Sequence, residues 1–240
     1  MWSICKKELH QFFSNLTGYI AIILFLMVNG FYLFVLNDSN LFDFGYATLD
    51  TFFELSPWVM IFLVPAITMR SLSEEFRSGT IEILQTSPLT KFQIVAGKYI
   101  AILGVLIFVI APTFIYIVTI KRLSAGGGID GGGIAGSYIG LFLLASVFAA
   151  IGLCGSSFTN NAVVAFLTSA FACLLLYYGF NAISKLPVFQ AKADYYIEMW
   201  GIDFHYKSVS RGLLDTRDII YFGSLITLFL LITIKNLLKR

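Results

Sequence analysis

The run Gly18–Leu36, GYIAIILFLMVNGFYLFVL, has Asn29 as its only strongly polar side chain. A hydrocarbon layer about 30 Å thick is crossed by about 20 helical residues. The run fits that layer. Five more apolar runs follow, at about Thr51–Met69, Ile94–Ile120, Ser137–Cys154, Ala162–Ala182 and Ile219–Ile234. Charged residues make up 12% of the chain and hydrophobic ones 58%, against about 25% and 45–50% in a soluble domain. So little polar surface cannot face water on all sides. The expected fold is an all-α integral membrane protein with six transmembrane helices. The first run is too long for a signal-peptide core and lacks a small-x-small cleavage site, so it is expected to be retained. Pro65 is expected to kink the second span, and Pro112 falls in the outer half of the third.

Six spans put both termini on one side. With the N-terminus, 70–98, 155–161 and the C-terminus together, that side carries 9 Lys and Arg and the other carries 7. Positive charge marks the cytoplasmic side, so the termini are placed there on a narrow margin. The net charge of +2 offers no footprint for nucleic acid. Cys5, Cys154 and Cys173 have neither metal-ligand nor disulfide spacing. No Pro/Ser-rich linker or clear internal repeat divides the sequence, so 1–240 is expected to be one membrane unit.

Residues 2–16, WSICKKELHQFFSNL, place Trp2, Cys5, Leu9, Phe12, Phe13 and Leu16 on one helical face. Lys6, Lys7, Glu8 and His10 lie off it. This pattern predicts an interfacial helix within 1–17, with its lysines toward lipid phosphates. The loop 70–98, RSLSEEFRSGTIEILQTSPLTKFQIVAGK, is punctuated throughout. Ser71-x-x-Glu74 and Thr90-x-x-Gln93 are capping boxes, each predicted to open a helix. Gly79 is placed to end the first helix in a left-handed conformation. Thr80–Gln85 can form a further short element. Glu74, Glu75, Arg77 and Glu82 are expected to face water, where they could meet a protein partner or form a solvated connector.

That loop carries a resemblance. Glu75, Arg77, Gly79, Thr80, Glu82, Leu84, Pro88, Gly97 and Lys98 fill a pattern similar to the loop of ABC-2 type transporter permeases. FHYKSVSRGLLDTRDIIYF, residues 204–222, also resembles that family's entry into its last span. Within the family, the chain most resembles gliding-motility-associated permease subunits of Bacteroidetes. The resemblance implies a bacterial inner-membrane exporter-like permease with cytoplasmic termini, and a translocation pathway built with a second permease copy or paralogue. It also implies a separate ABC ATPase subunit that binds ATP and Mg. The loop residues Glu74, Glu75, Arg77, Gly79, Thr80, Glu82, Leu84 and Pro88 would couple to that ATPase. This chain itself would bind no cofactor or metal. An alternative is a structural component of a motility or secretion assembly that moves no substrate.

The residues carry no motor. Gly97-Lys98 is followed by Tyr99, and position 92 is Phe, so a phosphate-binding Walker loop is absent. Glu54, near an outer boundary, is the one ionisable group assigned to the spans, which disfavours ion coupling. His10 and His205 have no partners at catalytic spacing. The outer segment 183–218 gathers Tyr195, Tyr196, Trp200 and Phe204, expected as short helices that either anchor the last span as an aromatic belt or gate the outer face. Asp215 and Asp218 would favour the dipole of the last span. Asn29, Thr168 and Ser169 could line a subunit seam or bond within the chain. AGGGIDGGGIAGS, residues 125–137, matches G-x-G-x-x-G twice. It follows an apolar helix, not a strand, so it is expected to be a flexible outer hairpin and not a dinucleotide loop. Gly133 and Gly136 could bring the fourth span close to a neighbour.

Overall fold

A computed structural model describes residues 1–36, 48–81, 90–123, 130–186, 194–212 and 215–239. Among these, six helical segments are long and apolar enough to cross a membrane: Gly18–Val35, Asp50–Ser78, Lys91–Arg122, Gly131–Phe158, Ala162–Ser184 and Thr216–Leu238. With a helix ahead of the first and two short ones before the last, this is the all-α membrane bundle that the apolar runs predict.

The amphipathic helix α1, Trp2–Ser14, turns at Asn15 into α2, Leu16–Phe31, which continues as a π-helical turn through Leu36. Helix α3, Asp50–Thr68, runs through both Pro57 and Pro65. Helix α4, Ser73–Ser78, follows after four residues. The third span is α5, Lys91–Ile110, then a single 3-10 turn at Ala111–Thr113 around Pro112, then α6, Phe114–Leu123. The fourth is α7, Gly131–Phe158. The fifth is α8, Ala162–Leu174, a π turn over Leu175–Gly179, and α9, Phe180–Ser184. Helices α10, Asp194–Glu198, and α11, Ile202–Ser210, precede the last span, α12, Thr216–Lys239.

The fourth span is the centre. In its most apolar stretch 78% of the residues are buried, against 22%, 28% and 17% in those of the first, fifth and sixth. Its small residues explain the position. A Cβ added to Gly152 would overlap Thr68 of α3, and one on Gly155 would overlap Ser169 of α8. Helices approach closely in lipid where side chains vanish. Ser169 and Asn29 are both buried within the chain. Asn29 Nδ2 donates to Phe25 O at 2.9 Å, and Ser56 Oγ donates to Asn29 Oδ1 at 3.1 Å. Asn29 ties span one to span two and does not mark a subunit seam. Thr168 bonds to Val164 O and Ala165 O of its own helix.

The glycine run departs from expectation. Residues 125–129 lie outside the described part, but from Gly131 onward the run is helix. Asp130 caps it, accepting from Gly133 N at 3.0 Å. Once a side chain satisfies a free first-turn N–H, even glycines join a long, buried helix. The close approach predicted for Gly133 and Gly136 is present. A Cβ on Gly136 would meet Gly212 Cα at 2.7 Å, and Gly212 itself has φ 82°. Ser137 Oγ donates to Ser210 O at 2.6 Å beside this crossing.

Candidate functional site at the inner end

The end of the bundle that carries both termini is called inner here. Three elements converge there on one cation. Lys98, in the second turn of α5, is 1% exposed. Its ammonium donates to Glu8 Oε1 of α1 at 2.7 Å and to Ser71 O of the α3–α4 turn at 2.7 Å. Glu75 Oε1 of α4 lies 2.8 Å away. An ammonium has three protons and no acceptor capacity, so these three partners satisfy it fully. Lys7 adds a longer contact to Glu75 Oε1, at 3.8 Å.

Local sequence places each partner. Thr90 Oγ1 accepts from Gln93 N at 3.3 Å, and Gln93 Oε1 accepts from Thr90 N at 3.0 Å, which is the predicted capping box. It starts α5 and sets Lys98 on the face toward α1. Gly97, Ala101 and Gly104 leave a shallow channel along that face. A Cβ on Gly97 would meet Ile4 Cβ at 3.2 Å, and one on Gly104 would meet Leu9 Cδ2 at 3.3 Å. Helix α1 lies in the channel, with Ile4 and Cys5 buried. Leu9, Phe12 and Phe13 are half-buried, and the Phe13 ring meets Phe108 edge-on at 5.1 Å. Trp2 and Leu16 point away and stay exposed. Lys6 is exposed too. Thus α1 rests on protein along one side. Ile4, outside the predicted apolar face, is its most deeply packed aliphatic residue.

Two expectations for the loop are corrected. Ser71 caps nothing: α4 begins at Ser73 with no side-chain cap. The turn leaving α3 already satisfies the first donors, with Glu74 N on Arg70 O at 3.4 Å and Phe76 N on Leu72 O at 3.0 Å. Glu75 does not face water. Its side chain is 12% exposed and turned toward Lys98. Glu74 is half-buried, while Arg77, Gly79 and Thr80 are exposed. Gly79 ends α4 with φ 71°, as predicted, and Ile81 beyond it is buried. Glu82, Leu84 and Pro88 lie outside the described residues.

Lys98 also corrects the inventory of ionisable groups in the spans: Glu54 is not alone. The missed signal was a lysine beside a Gly-x3-Ala-x2-Gly face, a position where a second helix can bring a carboxylate. The same end receives the C-terminal helix. Lys91 Nζ donates to Leu237 O at 2.8 Å, and Asn236 Nδ2 donates to Ser157 O at 2.7 Å.

A cavity of about 1070 Å³ opens beside this cluster. It is lined by apolar residues that include Leu24, Val59, Phe62 and Val105, and by the polar Lys7, Glu8, Arg70 and Glu75.

The outer end is built differently. Tyr195, Tyr196 and Trp200 are exposed, and Phe204 is half-buried with its ring 5.7 Å from Tyr195. The face of α11 turned to the spans includes Ile202, Asp203, His205, Tyr206 and Val209, all buried. Tyr206 OH donates to Phe53 O at 2.7 Å. That carbonyl stands four residues before Pro57, which has no N–H to offer it. Burial and the nearby Asp203 hold the Tyr206 phenol above its usual range, so it stays a donor. Asn181 Nδ2 donates to Glu198 Oε1 at 3.0 Å and to Asp203 Oδ2 at 3.3 Å, and Lys207 Nζ donates to Asp203 at 2.7 Å. His205 does have a partner, Asp218, at 2.6 Å. The predicted aromatics coat the surface while the polar residues among them hold the segment down.

The family model described as ABC-2 family transporter protein matches residues 43–192. No curated protein matches the chain. The match spans more than half of the sequence, from before α3 to beyond α9, and includes the loop and most of the spans. The chain therefore belongs to the ABC-2 transporter family, as a multi-pass membrane permease component of a transporter.

Proposed function

We propose that the chain is the membrane-spanning subunit of an ATP-driven exporter-like transporter, and that α4 with its flanking turns is the element that receives the ATPase's motion. The observation that carries this is the Lys98 cluster. Arg77, Gly79 and Thr80 form an exposed tip, open to a protein partner. Behind the tip, Glu75 is bonded to the third span, and Ser71 continues directly from the second. A push on the tip therefore has a short path into two spans and, through Glu8, into α1. Glu74 lines the cavity beside that path. Glu82, Leu84 and Pro88 complete the motif by resemblance. ATP and Mg bind on the partner, and this chain contributes position and force transmission.

In this reading 1–240 is one membrane unit, with both termini in the cytoplasm of a bacterial inner membrane. Trp2, Lys6, Lys7, Leu9, Phe12 and Phe13 set α1 at the headgroups, between lipid and α5. The apolar cavity is half of the pathway, closed by a second permease copy or a paralogue. Tyr195, Tyr196, Trp200 and Phe204 form the aromatic belt of the outer segment. Their exposure suits anchoring better than gating. The gliding-motility assignment is the finer part of the proposal and rests on the resemblance alone. Co-purification of the neighbouring ATPase tests the coupling role. Arg77→Glu and Glu82→Lys are expected to lose the ATPase while the permease still inserts and folds. Full retention of the ATPase by both variants would sink the coupling assignment.

A further inference from the structure

The outer end holds a buried titratable pair that the coupling role does not use. His205 of α11 and Asp218 in the first turn of α12 are 5% and 4% exposed. His205 Nδ1 lies 2.6 Å from Asp218 Oδ1, and Nε2 lies 3.0 Å from the carbonyl oxygen of Met199. The imidazole stacks on Tyr221, with centroids 3.9 Å apart. A neutral imidazole offers one donor and one acceptor. Here both ring nitrogens face acceptors. A neutral ring over an ionised carboxylate would leave one lone pair aimed at another. One additional proton, held by the pair as a unit, satisfies both contacts. Among the described residues, the other oxygen of Asp218 is buried with no partner, so His205 is the only counter-charge its carboxylate touches.

We propose that His205 and Asp218 form a proton-binding site that locks the outer segment onto the last span and releases it as the pH on that side rises. The neighbouring charges are already engaged. Asp203 is held by Lys207 and Asn181, and Glu198 is held by Asn181. From the last span, Tyr221 donates its hydroxyl to Trp200 O at 2.7 Å, and Asp215 and Arg217 are exposed one turn earlier. From α3, Glu54 is exposed near Tyr206. None of these supplies a donor to the Asp218 carboxylate. The sign follows from linkage. The locked contact contains the extra proton, so it is favoured at low pH and weakened as the pH rises. The part loosened is the Met199–Trp200 turn, which loses the His205 contact at Met199 O and keeps the Tyr221 hydroxyl on Trp200 O as its tie to the last span. Helix α11 itself stays fixed by Tyr206 on Phe53 O and by Ser210 O on Ser137.

The test uses the full chain in lipid nanodiscs, spin-labelled at Tyr196→Cys and Gly223→Cys, two exposed positions. The native cysteines are buried. Pulsed electron resonance then reads the distance between the outer segment and the last span. One narrow distance is expected at acid pH, with a second, longer population growing as the pH rises by up to about tenfold per pH unit, the limit for one proton. Asp218→Asn offers an amide donor to a neutral His205, so it is expected to keep the short distance at every pH. His205→Gln has no titratable ring and is expected to lose the pH response whichever distance it adopts. A wild-type distance that ignores pH overturns the proposal. So does an unchanged pH response in either variant.

Discussion

The two ends of the bundle fasten their peripheral helices in opposite ways. At the inner end a single ammonium, Lys98, holds α1, the α3–α4 turn and α4 to the third span at once. At the outer end the same task is divided among separate bonds: Tyr206 on Phe53 O, Ser137 on Ser210 O, Asn181 on two carboxylates, and His205 on Asp218. A concentrated fastening transmits motion, because nothing attached to it can move alone. A divided fastening can let go in part. Under the proposed coupling role, the first would suit an end that receives force and the second an end that yields to it.

The largest effect is expected from breaking the concentrated end. Lys98→Met leaves Glu8 and Glu75 facing each other with their shared counter-charge gone. Breaking a buried charge cluster from one side costs about 3–5 kcal/mol. Thermal unfolding in detergent should show this loss, with faster proteolysis at 70–81. Adding Glu75→Gln to Lys98→Met should recover part of the loss. A Lys98→Met chain as stable as wild type would remove the basis for the comparison.

Next comes the crossing of the fourth span on α3, toward the inner end. Gly152→Val forces a side chain into Thr68, and overpacking of this kind costs about 1–3 kcal/mol. Thr68 O accepts from Ser71 N at 3.0 Å, so the unfolding temperature should fall with some faster proteolysis at 70–81, less than in Lys98→Met. Third is one strand of the divided end. Tyr206→Phe leaves the Phe53 carbonyl without a donor, at about 1–3 kcal/mol. In a Pro57→Ala background the restored N–H can serve that carbonyl, so the same substitution should cost less. Equal costs in both backgrounds would show that the phenol does something other than replace the missing donor. Smallest is Thr168→Val, within about 0.5 kcal/mol, since its hydroxyl only bonds back to its own helix.

Much of the frame was legible in the sequence because it is local. Length and purity of the apolar runs set the spans. The Thr90–Gln93 box and Gly79 announced a helix start and a helix stop within four residues of themselves. What escaped is long-range. Glu8 and Lys98 are 90 residues apart, and no spacing rule joins them. Lys98 was visible only as part of a family motif, not as a buried charge. His205 lacked a partner at any catalytic spacing, yet the fold supplies Asp218 from the next helix. The glycine run misled for a related reason. Flexible composition argues for a loop only until a cap and a neighbouring surface outweigh it, and Asp130 and Gly212 provide both.

The fourth span is longer than the membrane it crosses. Its 28 residues extend about 42 Å at 1.5 Å per residue, against a hydrocarbon layer of about 30 Å. Its two ends therefore reach headgroup depth, where water competes for the bonds that Ser137 and Ser157 make with their neighbours. Midway, Tyr99 OH donates to Ser146 O at 3.1 Å, where no water competes. The span is thus bonded at its middle where nothing replaces a lost partner, and at its tips where water can.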